Sequence, residues 1–461
     1  MDGSRTEVGQ PSWRRELIQI LILAAPLAAA QLAEMAMGIT DMIMMGRVSS
    51  DALAAGGLAS NIAFMMIFVG HGLVTGIRPI VAQARGAGDL SGLGRTLAAG
   101  SVIALLTAIP AVLVLVHLDR LLDALHEPHA LSMLALSYGS AFAWGVPAGM
   151  QQYALRNYLS ALERPRVIMV IVIGACAANL GLNWVLVFGH LGAPALGLSG
   201  SGYATAIVWW GMLAAMACYL AAARLLPADL WRLDAAALRR GAVGLLGIGW
   251  SIAGAYLVEV GLFSVSSVMM GWFGPVALAA HQICLNLSAL TFMVPLAIGQ
   301  AATVRVGYHV GAGALGRARM AGFAALGLGT GFMLLMAIAI TGLGRRIFGL
   351  YLDAADPDFG AVLALGGQLI ALAALFQMFD GAQVVAAGAL RGLKDTQAAM
   401  VAAAIGYWGL GMPIGAGLAF GFGIGPVGLW WGFLVGLAVV AILLSLRFRQ
   451  RTARLILRAA G

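Results

Sequence analysis

The sequence predicts an all-α membrane protein, with twelve transmembrane helices in two six-helix bundles related by a pseudo-two-fold axis along the membrane normal. Three observations predict it. First, the chain of 461 residues is 61% hydrophobic and 10% charged, against about 25% charged in a soluble domain. The whole length therefore reads as membrane core rather than as a soluble domain with an anchor. Second, residues other than Asp, Glu, Lys and Arg run unbroken through 52–77, 96–118, 130–155, 260–304, 320–344 and 359–379, and two longer runs, 167–223 and 396–446, each have room for two spans, since one span needs about 20 residues. Third, the second half of the chain repeats the first.

The spans follow in order. Span 1 (17–43) starts after Arg14 and Arg15; it has no clean small-residue cleavage site and continues into Asp41, so no cleavable signal peptide is expected. Spans 2 (52–80) and 3 (95–117) flank the charges at Arg85 and Arg95, and span 4 (131–153) ends before Arg156. Spans 5 (167–189) and 6 (199–223) are divided by the Gly/Pro-rich break from Gly189 to Gly202. Residues 224–241, with a charge cluster and Pro227, form a cytoplasmic linker with a short amphipathic stretch between an N-terminal bundle (1–223) and a C-terminal bundle (242–461). Spans 7 (242–271), 8 (276–306), 9 (319–343) and 10 (360–390) follow, then 11 (398–420) and 12 (426–446), split by Gly421 to Gly428. The strands of a membrane barrel would alternate polar and apolar over about 10 residues, and nothing here does so regularly. Pro26, Pro147, Pro295 and Pro413 are expected to kink their spans.

The repeat has an offset of 225. Met44-Met45-Gly46 recurs as Met269-Met270-Gly271, Ala52-Leu53-Ala54-Ala55 as Ala277-Leu278-Ala279-Ala280, and Gly86-Ala87-Gly88 as Gly311-Ala312-Gly313; Asn61 matches Asn286 and Glu34 matches Glu259. Six spans per half insert both halves with the same orientation, as in parallel-repeat transporters, which hold substrate near mid-membrane between the halves.

The net charge of +8 does not signal nucleic acid, because its distribution is topological. Arginines cluster before span 1, after the even-numbered spans and at the C-terminus, while the opposite loops hold only Arg47, Arg120, Arg345 and Arg346. This positive-inside asymmetry places both termini in the cytoplasm, with the chain crossing an inner membrane many times. Cys176, Cys218 and Cys284 lie in apolar segments with no motif spacing, which gives neither a disulfide framework nor a metal site.

Four acids stand within or at the edge of apolar runs: Glu34, Asp41, Glu259 and Asp380. A carboxylate at that depth costs on the order of 3 kcal/mol and usually faces a polar cavity carrying ions, protons or cationic substrate. Glu34 and Asp41 are seven residues apart, two turns on one helix face, with Glu34 expected in a water-filled cleft; Asp41, near the turn at Gly46-Arg47, reads alternatively as an interfacial acid paired with Arg47 or solvated. Glu259 and Asp380 stand deeper, with a structural hydrogen bond as the alternative. Met35, Met37, Met42, Met44 and Met45 crowd the first pair, and adaptable Met surfaces accept varied apolar bodies. His71 and His281 read as helix-to-helix hydrogen bonds rather than proton relays, and Asp353, Asp356 and Asp358 as a solvated loop. An intramembrane enzyme would want a paired nucleophile and base or a His-rich metal set, and no such spacing occurs.

Three motifs carry a family resemblance. Asp41-Met42-Ile43-Met44-Met45-Gly46-Arg47-Val48-Ser49 resembles the helix 1 motif of the multidrug and toxic compound extrusion (MATE) transporters. Glu259-Val260-Gly261-Leu262-Phe263 through Ala280-His281-Gln282-Ile283, then Phe292-Met293-Val294-Pro295 and Arg305-Val306-Gly307, is similar to their helix 7–8 signature. Asp380 to Gly392, followed by Lys394-Asp395-Thr396, is similar to their helix 10 signature. The likeness extends over all twelve spans, toward the NorM-like bacterial branch. It implies two bundles around a V-shaped cleft and export of amphipathic organic cations by antiport against Na+ or H+, with no cofactor and a monomeric chain. It also implies that Asp41, Glu259 and Asp380 serve cation coupling and drug binding, Glu259 and Asp380 holding Na+ if sodium is the coupling ion. Glu34 joins them through its repeat partner, and Met37, Phe263, Gln282 and Phe379 are expected to line the substrate path. The alternative is a flippase of lipid-linked cell-envelope precursors, which would favour an arginine-lined cleft.

Overall fold

A computed structural model describes residues 12–230, 234–351 and 357–460. Its elements are α1 (Trp13–Val48), α2 (Ser50–Thr75), α3 (Ile77–Ala87), α4 (Leu93–Val116), α5 (Leu118–Ala124), α6 (His129–Ala143), α7 (Val146–Ala161), α8 (Pro165–Phe188), α9 (Leu198–Ala222), α10 (Ala235–Gly271), α11 (Pro275–Gly311), α12 (Leu315–Tyr351), α13 (Phe359–Gly392), α14 (Thr396–Ala403), α15 (Met412–Ala416) and α16 (Pro426–Ala460). No strand occurs among the described residues. Eleven helical stretches are long and apolar enough to cross a membrane.

The segment missing from those eleven is the predicted span 4. It is broken into α6 and α7 at Trp144-Gly145. Pro147 explains the break: it has no amide to donate, and its ring would clash with the Ala143 carbonyl. Gly145 then packs so tightly that a Cβ there would stand 2.6 Å from Cα of Ala206, while the exposed Trp144 carbonyl accepts a hydrogen bond from Trp210 Nε1 at 3.0 Å. Pro413 also falls at an irregularity, between the π-helical turns Ala404–Gly411 and Gly417–Gly421. There Gly411 and Gly415 lie against Gly432 of α16, the close backbone approach that small residues allow between membrane helices. Pro26 and Pro295 instead lie inside uninterrupted α1 and α11.

The repeated Gly-Ala-Gly triplets end corresponding helices in the same way. Gly88 (φ 71°) closes α3 with its amide on Arg85 O and that of Asp89 on Ala84 O, both at 3.1 Å. Gly313 (φ 69°) closes α11 with its amide on Val310 O at 3.1 Å and that of Ala314 on His309 O at 2.9 Å. This left-handed cap favours glycine.

Two large apolar cores occupy the two halves, one built on α1, α2, α4, α6, α7 and α8 and the other on α10, α11, α13 and α16. A third cluster joins them through Ile20, Leu23 and Ala24 of α1, Ile298 and Ala302 of α11, and Val385 of α13. These contacts lie at the end of the molecule where α1 begins. At the same end, glycines bring helices of opposite halves together: a Cβ on Gly72 of α2 would stand 2.5 Å from Cα of Ala253 in α10, and Gly86 of α3 abuts the Tyr308 carbonyl of α11. An ionic cluster seals this contact. Arg305 Nε and Nη2 donate to Glu16 at 2.7 and 2.9 Å, Arg305 Nη1 lies 3.6 Å from Glu163, His309 Nε2 lies 3.3 Å from Glu16, and Arg85 lies 3.8 Å from Glu163.

Candidate functional site

The acids fall into three environments. Asp41, 7% exposed, is held on α1 by the two helices beside it. Asn183 Nδ2 of α8 donates to its Oδ1 at 2.8 Å, and Thr205 Oγ1 of α9 donates to its Oδ2 at 2.9 Å. Asn179, one turn before Asn183, reaches Thr205 Oγ1 at 3.4 Å. The reading of Asp41 as an interfacial acid paired with Arg47 gives way to this buried nest. Asn179 and Asn183 were not singled out in the sequence; two asparagines four apart in an otherwise apolar run were the available signal.

Glu34 shares a face of α1 with Asp41 but has a different partner. Its carboxylate pairs closely with Arg156 of α7. A guanidinium takes one of its oxygens, and the side chain is 26% exposed. Arg156 belongs to the site because α7 runs on to Ala161, eight residues beyond the predicted end of span 4. Met37 is buried, as are Met44 and Met45, whereas Met42 is exposed.

In the other half, Glu259 of α10 and Asp380 of α13 flank one amide. Gln383 Nε2 lies 3.3 Å from Glu259 Oε1 and 3.3 Å from Asp380 Oδ1. Asp380 is buried and Glu259 half-buried. The Tyr407 hydroxyl, from the π-helical turn of the predicted span 11, is buried without a hydrogen-bond partner and within electrostatic range of both carboxyls. Two carboxyls, an amide carbonyl and a phenol offer the hard oxygen donors that a small cation takes. No group of three or more His, Cys, Asp or Glu that could hold a metal ion occurs among the described residues.

Of the remaining candidates, Phe263 packs edge-on against Phe433 at 5.5 Å and Phe376 at 6.3 Å, and half-buried Phe379 joins the same core. Gln282 is exposed. His281 is a bridge between helices: Trp430 Nε1 donates to its Nδ1 at 3.2 Å, and its Nε2 lies 3.2 Å from Ser267 Oγ. Asp353 and Asp356 lie outside the described residues.

A bundle of apolar helices with carboxyls buried in both halves defines a polytopic membrane protein built to handle charge inside the bilayer. Comparison with known proteins gives the family. The MatE family model matches twice, over residues 26–185 and 251–416, once in each half. The chain is 42% identical to multidrug resistance protein NorM of Burkholderia vietnamiensis over 465 residues, covering 98% of both chains. It is 41% identical to a probable multidrug resistance protein NorM of Mesorhizobium japonicum, covering 95% of both. Its fold matches the eukaryotic MATE transporter AtDTX14 (TM-score 0.85, 21% identity, 97% and 99% of the two chains) and the Vibrio cholerae MATE transporter VcmN in its bent form (TM-score 0.86, 19% identity, 97% and 99%). The chain belongs to the MatE family.

Proposed function

We propose that this chain is a multidrug efflux antiporter of a bacterial inner membrane. It exports amphipathic organic cations in exchange for Na+ or H+ by alternating access of a central cleft, and it needs no cofactor. One observation carries the reading: each half buries its own carboxyl site, Asp41 in one and Glu259 with Asp380 in the other. Glu259 and Asp380 form the coupling-cation site, and Asp41 binds drug or proton in its own half. Glu34, Met37, Phe263, Gln282 and Phe379 flank the substrate path. Inward movement of one cation supplies about 2.3 kcal/mol per 100 mV. The paired α6 and α7 serve as the twelfth span, giving two six-helix bundles (1–223 and 242–461) around a pseudo-two-fold axis, with both termini and the 224–241 linker cytoplasmic. The double family match and the matching caps at Gly88 and Gly313 support the duplication. The chain works as a monomer.

A second reading, a flippase for lipid-linked precursors, gains one observation: Arg78, Arg156 and Arg391 are all buried in helices near the contact between halves. The 42% identity to a multidrug resistance protein over the full chain weighs more. The test is reconstitution into liposomes with an imposed Na+ gradient and, separately, a pH gradient. Gradient-driven ethidium transport is expected under one of them. Transport at wild-type rate by both Asp380→Asn and Glu259→Gln would overturn the assigned roles.

A further inference from the structure

Near the contact between the halves, buried positive charge exceeds buried negative charge. Arg78 of α3 is 4% exposed, Arg156 of α7 6% and Arg391 of α13 7%. Of the three, only Arg156 makes a direct ion pair, with Glu34; neither Arg78 nor Arg391 makes an ion pair or side-chain hydrogen bond among the described residues, and Arg78 Nε is buried with nothing to donate to. Arg78 lies within electrostatic range of both Arg156 and Arg391, and Arg391 also within range of Glu259, so the cluster sets three positive charges against the two carboxylates of Glu34 and Glu259. Three half-buried rings complete it. His71 stacks on Tyr153 at 4.3 Å and lies 6.0 Å from Tyr256, and Tyr256 carries the Arg391 guanidinium 5.3 Å from its ring centre. His71 adjoins Gly72, and Tyr256 follows Ala253 by about one turn, where α2 and α10 approach closely.

A guanidinium shut off from water is costly unless an anion meets it, and its fork of donors matches a carboxylate in a bidentate way. We propose that Arg78 and Arg391, with Tyr256 and His71, form an anion subsite near the contact between the halves that takes the carboxylate of zwitterionic amphiphiles, while the buried acids take their ammonium end. This rests on the efflux reading above and adds a second pole to the substrates that the cleft holds.

The experiment compares two dyes that differ only at the carboxyl: rhodamine B, a zwitterion at neutral pH, and its methyl ester, a cation. Binding to the detergent-solubilised full chain is followed by fluorescence anisotropy, and gradient-driven transport is measured in proteoliposomes. Arg78→Gln and Arg391→Gln should weaken rhodamine B binding about tenfold or more, the scale of a lost charge-assisted hydrogen bond. The ester should change less than about twofold. Arg391→Lys should restore part of the preference, because the charge returns without the fork. Thermal unfolding should not worsen in Arg78→Gln, since a buried charge without an ion pair has been removed. Equal losses for both dyes, or unchanged rhodamine B binding, would overturn the proposal, and so would competition by chloride that abolishes the difference between the dyes, which would assign the subsite to a free inorganic anion. Because the binding arm needs no gradient, a chain that discriminates between the dyes yet moves neither would refute the antiport reading and leave the subsite standing.

Discussion

The two halves of this chain share a repeat yet keep their buried acids in different company. At the position of Asp41 the second half has Ser266, which turns its hydroxyl back onto Leu262 O at 2.7 Å. At the repeated glutamate, Glu34 pairs directly with the cation of Arg156, whereas Glu259 takes its one hydrogen bond from the neutral amide of Gln383, which also serves Asp380, and has Arg391 only within electrostatic range. The first half has thus neutralised one acid and enclosed the other in a set of strong donors at 2.8 and 2.9 Å. The second half gathers two acids around a single donor at 3.3 Å. A carboxylate has about four acceptor positions, so most of those on Glu259 and Asp380 remain for an incoming cation. Duplication supplied the scaffold, and divergence at a few polar positions made one half retentive and the other receptive.

The largest expected effect comes from removing the receptive pair. Asp380→Asn should cut gradient-driven ethidium efflux about 100-fold or more, the scale on which loss of an essential proton-carrying group shows; liposome flux checks it. Moving the comparison in the opposite direction, Arg156→Gln would give the first half an unneutralised Glu34. Breaking a buried pair costs 3–5 kcal/mol, and with Glu34 26% exposed a loss of about 1–2 kcal/mol is expected in detergent unfolding. Combining it with Glu34→Gln should recover most of that loss. The mildest change is Thr205→Val, which strips one donor from Asp41 and should cost about 1 kcal/mol while slowing efflux only a few-fold. If Thr205→Val proved as harmful as Asp380→Asn, the contrast between the halves would fail.

Much of this was legible in the sequence, because bilayers impose simple rules on composition. Apolar run lengths gave the spans, and the isolated acids gave Asp41, Glu259 and Asp380. The misplaced helix boundaries share a cause. Helix ends in membranes do not stop at the first charge: α7 continues past Arg156 to Ala161 and α13 past Arg391 to Gly392. Two arginines read as loop residues are therefore buried inside helices. A run count also cannot see Pro147 divide a span whose two pieces are each too short to cross. The partner of Glu34 was illegible for another reason. It lies 122 residues away, and nothing in a single sequence pairs residues across that distance.

The clasp between Glu16, Arg305, His309 and Glu163 has a consequence for motion. Arg305 grips two carboxylates of the opposite half at once, through three of its nitrogens. For that end to swing apart, one side chain must release both grips together, and water must reach it as it does so. Under the alternating-access reading proposed above, opening there would be abrupt rather than a gradual widening, with few resting points between shut and ajar. A pump that switches in this way is poorly able to leak, because a half-released clasp leaves charges stranded on both sides of the gap.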